Sequence, residues 1–213
     1  MELYVFKDKD NKTYVSVVPP PGIKDYEVIQ VNSINDVYFD QDGNVRIRTE
    51  ADIVADKKKS YIASLPGVIT NWIYTYYPQV KQNSDLSDYI TYTTLLRSMS
   101  APEAELSAKM AQIGGAIVNF SITEADKYKS PEELNKAGIE YFNQLVNELV
   151  SSYTAYPANA LIQLAKIAVR VSQVNHIKGI YTTTVVKLQS ATTSQELDDI
   201  YNNVTKSYVW IQV

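Results

Sequence analysis

Over the first fifty residues apolar and polar side chains alternate, and short polar clusters interrupt the alternation. Leu3-Tyr4-Val5-Phe6 and Thr13-Tyr14-Val15-Ser16-Val17-Val18 flank Lys7-Asp8-Lys9-Asp10-Asn11-Lys12, which predicts a β-hairpin. Pro19-Pro20-Pro21-Gly22 then stops the ladder, because proline has no backbone hydrogen to donate. Glu27-Val28-Ile29-Gln30-Val31 reads as a third strand. Asp36-Val37-Tyr38-Phe39-Asp40 and Asn44-Val45-Arg46-Ile47-Arg48 surround Gln41-Asp42-Gly43, and Asp-Gly between alternating runs predicts a second hairpin. Val45 and Ile47 share one side of that arm and Arg46 and Arg48 the other, so the sheet is expected to be covered on one face only.

Near Thr49 the apolar period changes from two residues to about 3.6. Thr49 with Asp52 reads as a helix start, followed by Tyr61, Leu65, Val68, Ile69, Trp72, Ile73 and Tyr76 at helical spacing. Pro66-Gly67 is expected to kink this helix or split it, and Pro78 to end it. A next helix is predicted from Asp85, with Leu86, Tyr89, Ile90, Leu95, Leu96 and Met99 as its apolar face. Ser100-Ala101-Pro102-Glu103, Ser130-Pro131-Glu132-Glu133 and Thr193-Ser194-Gln195-Glu196 have the form of capping boxes and predict three further helix starts. Leu161, Leu164, Ile167, Ala168, Val171 and Val174 mark another helix, and the β-branched run Thr182–Val186 leaves the stretch after it open between helix and strand. Tyr208-Val209-Trp210-Ile211-Gln212-Val213 reads as a strand that needs cover.

These patterns predict an α+β chain, with a small N-terminal antiparallel β module over residues 1–49 and a mainly α-helical module over 50–213 carrying a candidate C-terminal strand. Composition changes little in that picture. Hydrophobic residues make up 45% and charged residues 21%, ordinary values for a globular chain. The net charge of −4 and the single dense basic run, Lys57-Lys58-Lys59, argue against a nucleic-acid partner. With no cysteine, a disulfide scaffold, a zinc ribbon and thiol catalysis are excluded. No apolar run is long enough to predict a membrane span, and Met1-Glu2-Leu3-Tyr4 lacks the features of a signal peptide. The cytoplasm is the expected compartment.

Candidate chemistry is sparse. His176 is the only histidine, and a lone histidine near an expected helix end complements the helix dipole more often than it acts as a base. Gly114-Gly115 has no Gly-Lys-Ser/Thr after it and reads as close helix packing. Asp8-Lys9-Asp10-Asn11 and Asp40-Gln41-Asp42-Gly43 lack the twelfth-position glutamate of a calcium loop and read as hairpin turns. Asp85 and Asp88 read as acids at a helix N-terminus. The sequence thus points to no catalytic residue, no cofactor, no metal and no small-molecule substrate. The 17 tyrosines against 4 phenylalanines suit contact with another protein, although AT-rich codon usage produces the same bias. Trp72, Tyr74, Tyr76 and Tyr77 crowd more than one face of a helix, and with Tyr208 and Trp210 they are the candidate protein-binding residues.

The Tyr-rich hairpin ending in prolines and followed by Asp-Gly resembles the N-terminal part of phage tail-fibre assembly proteins. Tyr76-Tyr77-Pro78-Gln79-Val80-Lys81-Gln82-Asn83-Ser84-Asp85 resembles a segment of small phage or prophage tail-associated proteins. Leu188-Gln189-Ser190-Ala191-Thr192-Thr193-Ser194-Gln195-Glu196-Leu197 resembles their closing helix cap. The resemblance implies a non-enzymatic, chaperone-like assembly protein that binds a phage tail or tail-fibre protein, or itself, in the host cytoplasm during assembly. The helical region from 85 to 190 is larger than small tail-fibre chaperones carry, so a permanent virion component, a tail or baseplate adaptor, is the alternative. A small hydrolase ranks third.

Overall fold

The computed structural model of the chain describes residues 1–31 and 33–213. Among them are five strands, followed by six α-helices. The chain is thus α+β as expected, a small antiparallel β module followed by helices. It divides into two compact units, residues 1–60 with 191–197, and residues 61–190 with 198–213.

In the first unit, β1 (Glu2–Lys7) pairs antiparallel with both β2 (Thr13–Ser16) and β3 (Tyr26–Gln30), giving the order β2-β1-β3. β4 (Val37–Phe39) and β5 (Val45–Ile47) form a separate two-stranded sheet. Both acidic loops are hairpin turns. Asp8 Oδ1 accepts from the amides of Asp10 and Lys12, each at 2.9 Å, and Asp40 Oδ1 from those of Asp42 at 3.0 Å and Asn44 at 2.9 Å. Gly43 takes a φ of 76° at the second turn, a conformation open to glycine without strain.

Helix α1 (Glu50–Tyr76) starts at a reciprocal box. The Thr49 hydroxyl accepts from the Asp52 amide at 3.2 Å, and the Asp52 carboxylate from the Thr49 amide at 2.9 Å. Pro66 neither kinks the chain into two helices nor ends this one. Leu65, Ile69, Trp72 and Ile73 are buried on both sides of it, and that burial outweighs the lost backbone bond.

Helix α2 (Gln79–Ser98) begins directly after Pro78, six residues before the predicted start at Asp85. Its end explains a second departure. The Ala101 amide donates to Leu96 O at 3.0 Å and the Ser100 amide to Arg97 O at 3.0 Å, the paired bonds of a Schellman motif. Ser100, at a φ of 57°, therefore closes α2 and does not cap α3 (Glu103–Thr123), whose N-cap is Pro102. At the other two predicted starts the hydroxyl cap forms, while the glutamate accepts from the amide of the residue before the cap, Lys129 or Thr192. Ser130 Oγ accepts from the Glu133 amide at the start of α4 (Pro131–Ser152), and Thr193 Oγ1 from the Glu196 amide at the start of α6 (Ser194–Asn203).

Between them runs α5 (Ala158–Ser190), which absorbs the β-branched stretch Thr182–Val186 as helix. Leu161, Leu164, Ala165 and Val169 of α5 join Leu106, Met110, Ile113 and Ile117 of α3 and Phe142, Val146 and Leu149 of α4 in the core. Gly114 sets the α3–α5 approach, since a Cβ there would lie 2.3 Å from Ser172 Oγ and 2.9 Å from Ala168 O.

The predicted C-terminal strand does not form. Residues 208–213 lack strand pairing and are held by side chains of the second unit. Gln173, fully buried on α5, donates to Ile211 O at 3.0 Å and accepts from the Ile211 amide at 2.8 Å and the Tyr208 hydroxyl at 2.9 Å. Ser121 on α3 donates to Val209 O at 2.6 Å, and Asn135 on α4 accepts from the Gln212 amide at 2.8 Å. A side-chain ladder satisfies the backbone that a neighbouring strand was expected to satisfy.

Candidate functional site

Four of the six aromatic residues singled out for partner binding are not surface residues. Trp72, Tyr77, Tyr208 and Trp210 are buried within the second unit, and Tyr74 and Tyr76 remain exposed. Trp210 stacks on Tyr76 with centroids 5.8 Å apart and lies 6.2 Å from Tyr77. The two segments expected to seek cover from a partner thus cover each other. His176 stands in the middle of α5, not at its end, with its ring 4.7 Å from that of Tyr208. Burial pushes its pKa down.

The apolar surface that remains lies elsewhere, first on α2. The buried residues of this helix are Leu96 and a charged one, Asp85, which is 2% exposed. Leu86 is 62% exposed, Ile90 57% and Tyr89 50%. Of the face assigned to the core from sequence, Leu96 alone is buried, and Leu86, Tyr89, Ile90, Leu95 and Met99 are exposed. Asp85 is held by Arg170 Nη1 at 2.9 and 3.0 Å, by Lys81 Nζ at 2.8 Å and by the Tyr77 hydroxyl at 2.9 Å. Burial alone would raise its pKa, but the hydrogen bonds from Lys81 and Arg170, the Arg170 charge and the Tyr77 hydroxyl outweigh it and leave the carboxyl below its ordinary range. Tyr77 responds in the opposite direction, pushed up by burial and by its bond to Asp85.

Helix α2 packs on α5 and far less on α3. An open groove of about 1270 Å³ follows. Leu86, Tyr89 and Thr93 of α2 line one side, and Ile73 and Tyr74 of α1 add to the wall. Ala104, Ser107 and Ala111 of α3 give it a lining of small side chains. Its charged groups are largely engaged: Asp85 with Arg170, and Arg97 with Glu103 at 2.7 Å.

The second apolar surface is a face of the three-stranded sheet. Alternation places Tyr4 and Phe6 of β1, Tyr14 of β2, and Tyr26 and Val28 of β3 on one side. Tyr4 meets Tyr26 edge-on at 5.4 Å, and Phe6 stacks on Tyr14 at 5.8 Å. Tyr14, Tyr26 and Val28 are each more than 40% exposed. The opposite face carries Leu3, which is fully buried, with Val5, Val15 and Ile29. The alternation that gathers these rings on one face is legible in the sequence, whereas which face stays open depends on what packs against the other.

Among the described residues no cluster of three or more His, Cys, Asp or Glu side chains converges as a metal site would require, and no helix is long and apolar enough to cross a membrane. Comparison with protein-family models, with curated proteins and with solved structures finds no match to this chain.

Proposed function

We propose that this chain is a phage or prophage tail-associated protein that acts by binding another protein during tail or tail-fibre assembly, and that the aromatic face of its N-terminal sheet is the contact surface. The observation that carries the reading is the row of Tyr4, Phe6, Tyr14 and Tyr26, paired ring to ring on the sheet face opposite the fully buried Leu3, with Tyr14 and Tyr26 exposed. Rigid, half-exposed aromatic side chains supply large contact area at small entropic loss and dominate many protein interfaces. β2 and β3 are the edges of that sheet, and open edges receive an extended partner segment. The phage setting comes from the sequence resemblance, whose first stretch is this same hairpin. Retention in the particle as an adaptor is the alternative within the same reading.

The test is co-purification of the full chain with the tail-fibre and tail proteins encoded beside it. A Tyr14→Ala/Tyr26→Ala variant with native circular dichroism is expected to lose at least tenfold in affinity. Capture of none of these proteins, or capture unaffected by the double substitution, overturns the reading. Mass spectrometry of purified particles separates assembly factor from virion component.

A further inference from the structure

We infer that α2 is the two-fold interface of a homodimer, in which the Leu86–Ile90 ridge of one copy lies in the groove beside α2 of the other. This goes beyond the sheet-face reading and uses a different surface, so either can fail alone.

The first argument is the inverted partition of α2. An apolar stripe on the outward side of a helix that is already docked by its inward side asks for a second cover. Here the inner side is fixed by an ion pair, Asp85 with Arg170, and the outer side carries Leu86, Tyr89, Ile90 and Thr93 at helical spacing. The second argument is self-complementarity. An isologous contact requires one patch to supply both the protruding and the receiving part, since residue i meets j and j meets i. Ridge and groove are neighbours on the same helix, so a two-fold axis beside α2 seats both ridges at once.

Charge and size agree. The eight residues from Tyr89 to Leu96 contain no ionisable acid or base other than tyrosine; Asp88 is the one charged residue of the Leu86–Ile90 ridge, and the groove lining carries Lys178 of opposite sign. The α2 residues lining the groove run from Gln82 to Arg97, about 22 Å at 1.5 Å per residue. That length receives the Leu86–Ile90 ridge of a second α2, and the small side chains Ala104, Ser107 and Ala111 permit helix axes to approach to roughly 8–10 Å. Leu86, Tyr89, Ile90, Tyr74 and Val171 are between 46% and 62% exposed, leaving on the order of 100 Å² of surface apiece. With the groove lining beside them, the patch approaches the roughly 800 Å² per partner of a standard interface.

Sedimentation equilibrium of the full chain across a wide concentration range tests this. The mass is expected to rise from the 24.0 kDa of the monomer to twice that value. Leu86→Asp and Ile90→Asp should each weaken the dimer at least tenfold, while Val186→Asp, on an exposed apolar residue outside the groove lining, should not. Because the chain has no cysteine, Ile90→Cys and Ala111→Cys variants can be mixed under oxidising conditions, and a disulfide between ridge and groove is expected in the mixture beyond that in either variant alone. If Leu86→Asp fails to fold, Tyr89→Ser carries the same expectation at the exposed rim. A monomer at every concentration overturns the inference. So does a dimer indifferent to Leu86, Tyr89 and Ile90, or a mixture that forms no ridge-to-groove disulfide. Unimpaired capture of a tail protein by a strictly monomeric chain would sink the dimer and leave the sheet-face function standing.

Discussion

Arg170 Nη1 lies 3.0 and 2.9 Å from the two carboxylate oxygens of Asp85, pinning α2 to α5 through a pair whose side chains are 12% and 2% exposed. Removing one partner of such a pair leaves the other charge buried without compensation, at about 3–5 kcal/mol. Asp85→Ala is expected to fall in that range, lowering Tm by roughly 2–4 °C per kcal/mol for a chain of this size. The joint change Asp85→Leu/Arg170→Met should recover most of the loss, because well-packed apolar side chains replace a buried pair at little penalty. Thermal unfolding of the three proteins checks both statements. A single variant as stable as wild type removes the pair from its structural role.

Two groups shape stability against pH, at different points. The Asp85 carboxyl is lowered in the folded chain, so its contribution is full above the unfolded value near 4 and is lost as pH falls below it. Burial lowers His176. The unfolded chain therefore takes up that proton first, and stability declines as pH falls below the unfolded value of about 6.5. Urea denaturation against pH is expected to show a decline starting near pH 6.5 and a steeper one below about 4. His176→Gln should abolish the upper phase and spare the lower. Persistence of the upper phase in that variant would place it on another group.

Module order, both hairpins and the helix caps at Ser130 and Thr193 were legible in sequence because each depends on residues close in the chain. What was not legible depends on contacts distant in sequence. Asp85 looks like an N-terminal helix acid until Arg170, 85 positions later, is placed against it. Once Asp85 is fixed inward, Leu86 and Ile90 turn outward, and of the face assigned to the core only Leu96 stays inside. Trp210 looks uncovered in sequence because its cover, Tyr76 and Tyr77, lies at the end of α1, far away along the chain. Ser100 misled for a different reason. Ser-x-x-Glu fits a helix start, but Ser100, in the left-handed region two positions after the last residue of α2, is that helix's stop.

Ser100 offers a stabilising change. At a φ of 57° a side chain with a Cβ is strained and glycine is not. Ser100 makes its Schellman bond through the backbone, which glycine retains. Ser100→Gly is expected to stabilise by about 0.5–1 kcal/mol, and Ser100→Val to destabilise. Chemical denaturation at neutral pH measures both, and a loss of stability in the glycine variant would show that the hydroxyl matters more than the backbone.

Gly114 is expected to tolerate nothing larger. An added Cβ meets Ser172 Oγ at 2.3 Å and Ala168 O at 2.9 Å, and the second of these is backbone that moves only with α5. Gly114→Ala should destabilise by about 1–3 kcal/mol, the range for overpacking. Ser172→Gly in the same chain should restore part of this loss, because it removes the closer contact and leaves the carbonyl in place. Full restoration would show that α3 and α5 are not in contact at the backbone.

Gln173 supports the strongest single-residue prediction. It is fully buried, and both ends of its amide read the backbone of Ile211, while its oxygen also accepts from Tyr208. Replacement by leucine keeps the volume but leaves the Ile211 amide and carbonyl and the Tyr208 hydroxyl without these partners in an interior closed to water. Each such orphan costs about 1–3 kcal/mol, so Gln173→Leu is expected to lose at least 3 kcal/mol. Asn135 makes one bond to the same segment, to the exposed Gln212, where water can replace it, and Asn135→Ala should lose no more than about 1 kcal/mol. The loss at Gln173 should also be local before it is global, since the segment it holds has no strand neighbour to keep it in place. Limited proteolysis is therefore expected to cut the Gln173→Leu protein between residues 204 and 210 while the helices stay intact, and to leave wild type and Asn135→Ala whole. A Gln173→Leu protein with wild-type urea midpoint and wild-type protease resistance would mean that the segment is held by the burial of Tyr208, Trp210 and Ile211 alone.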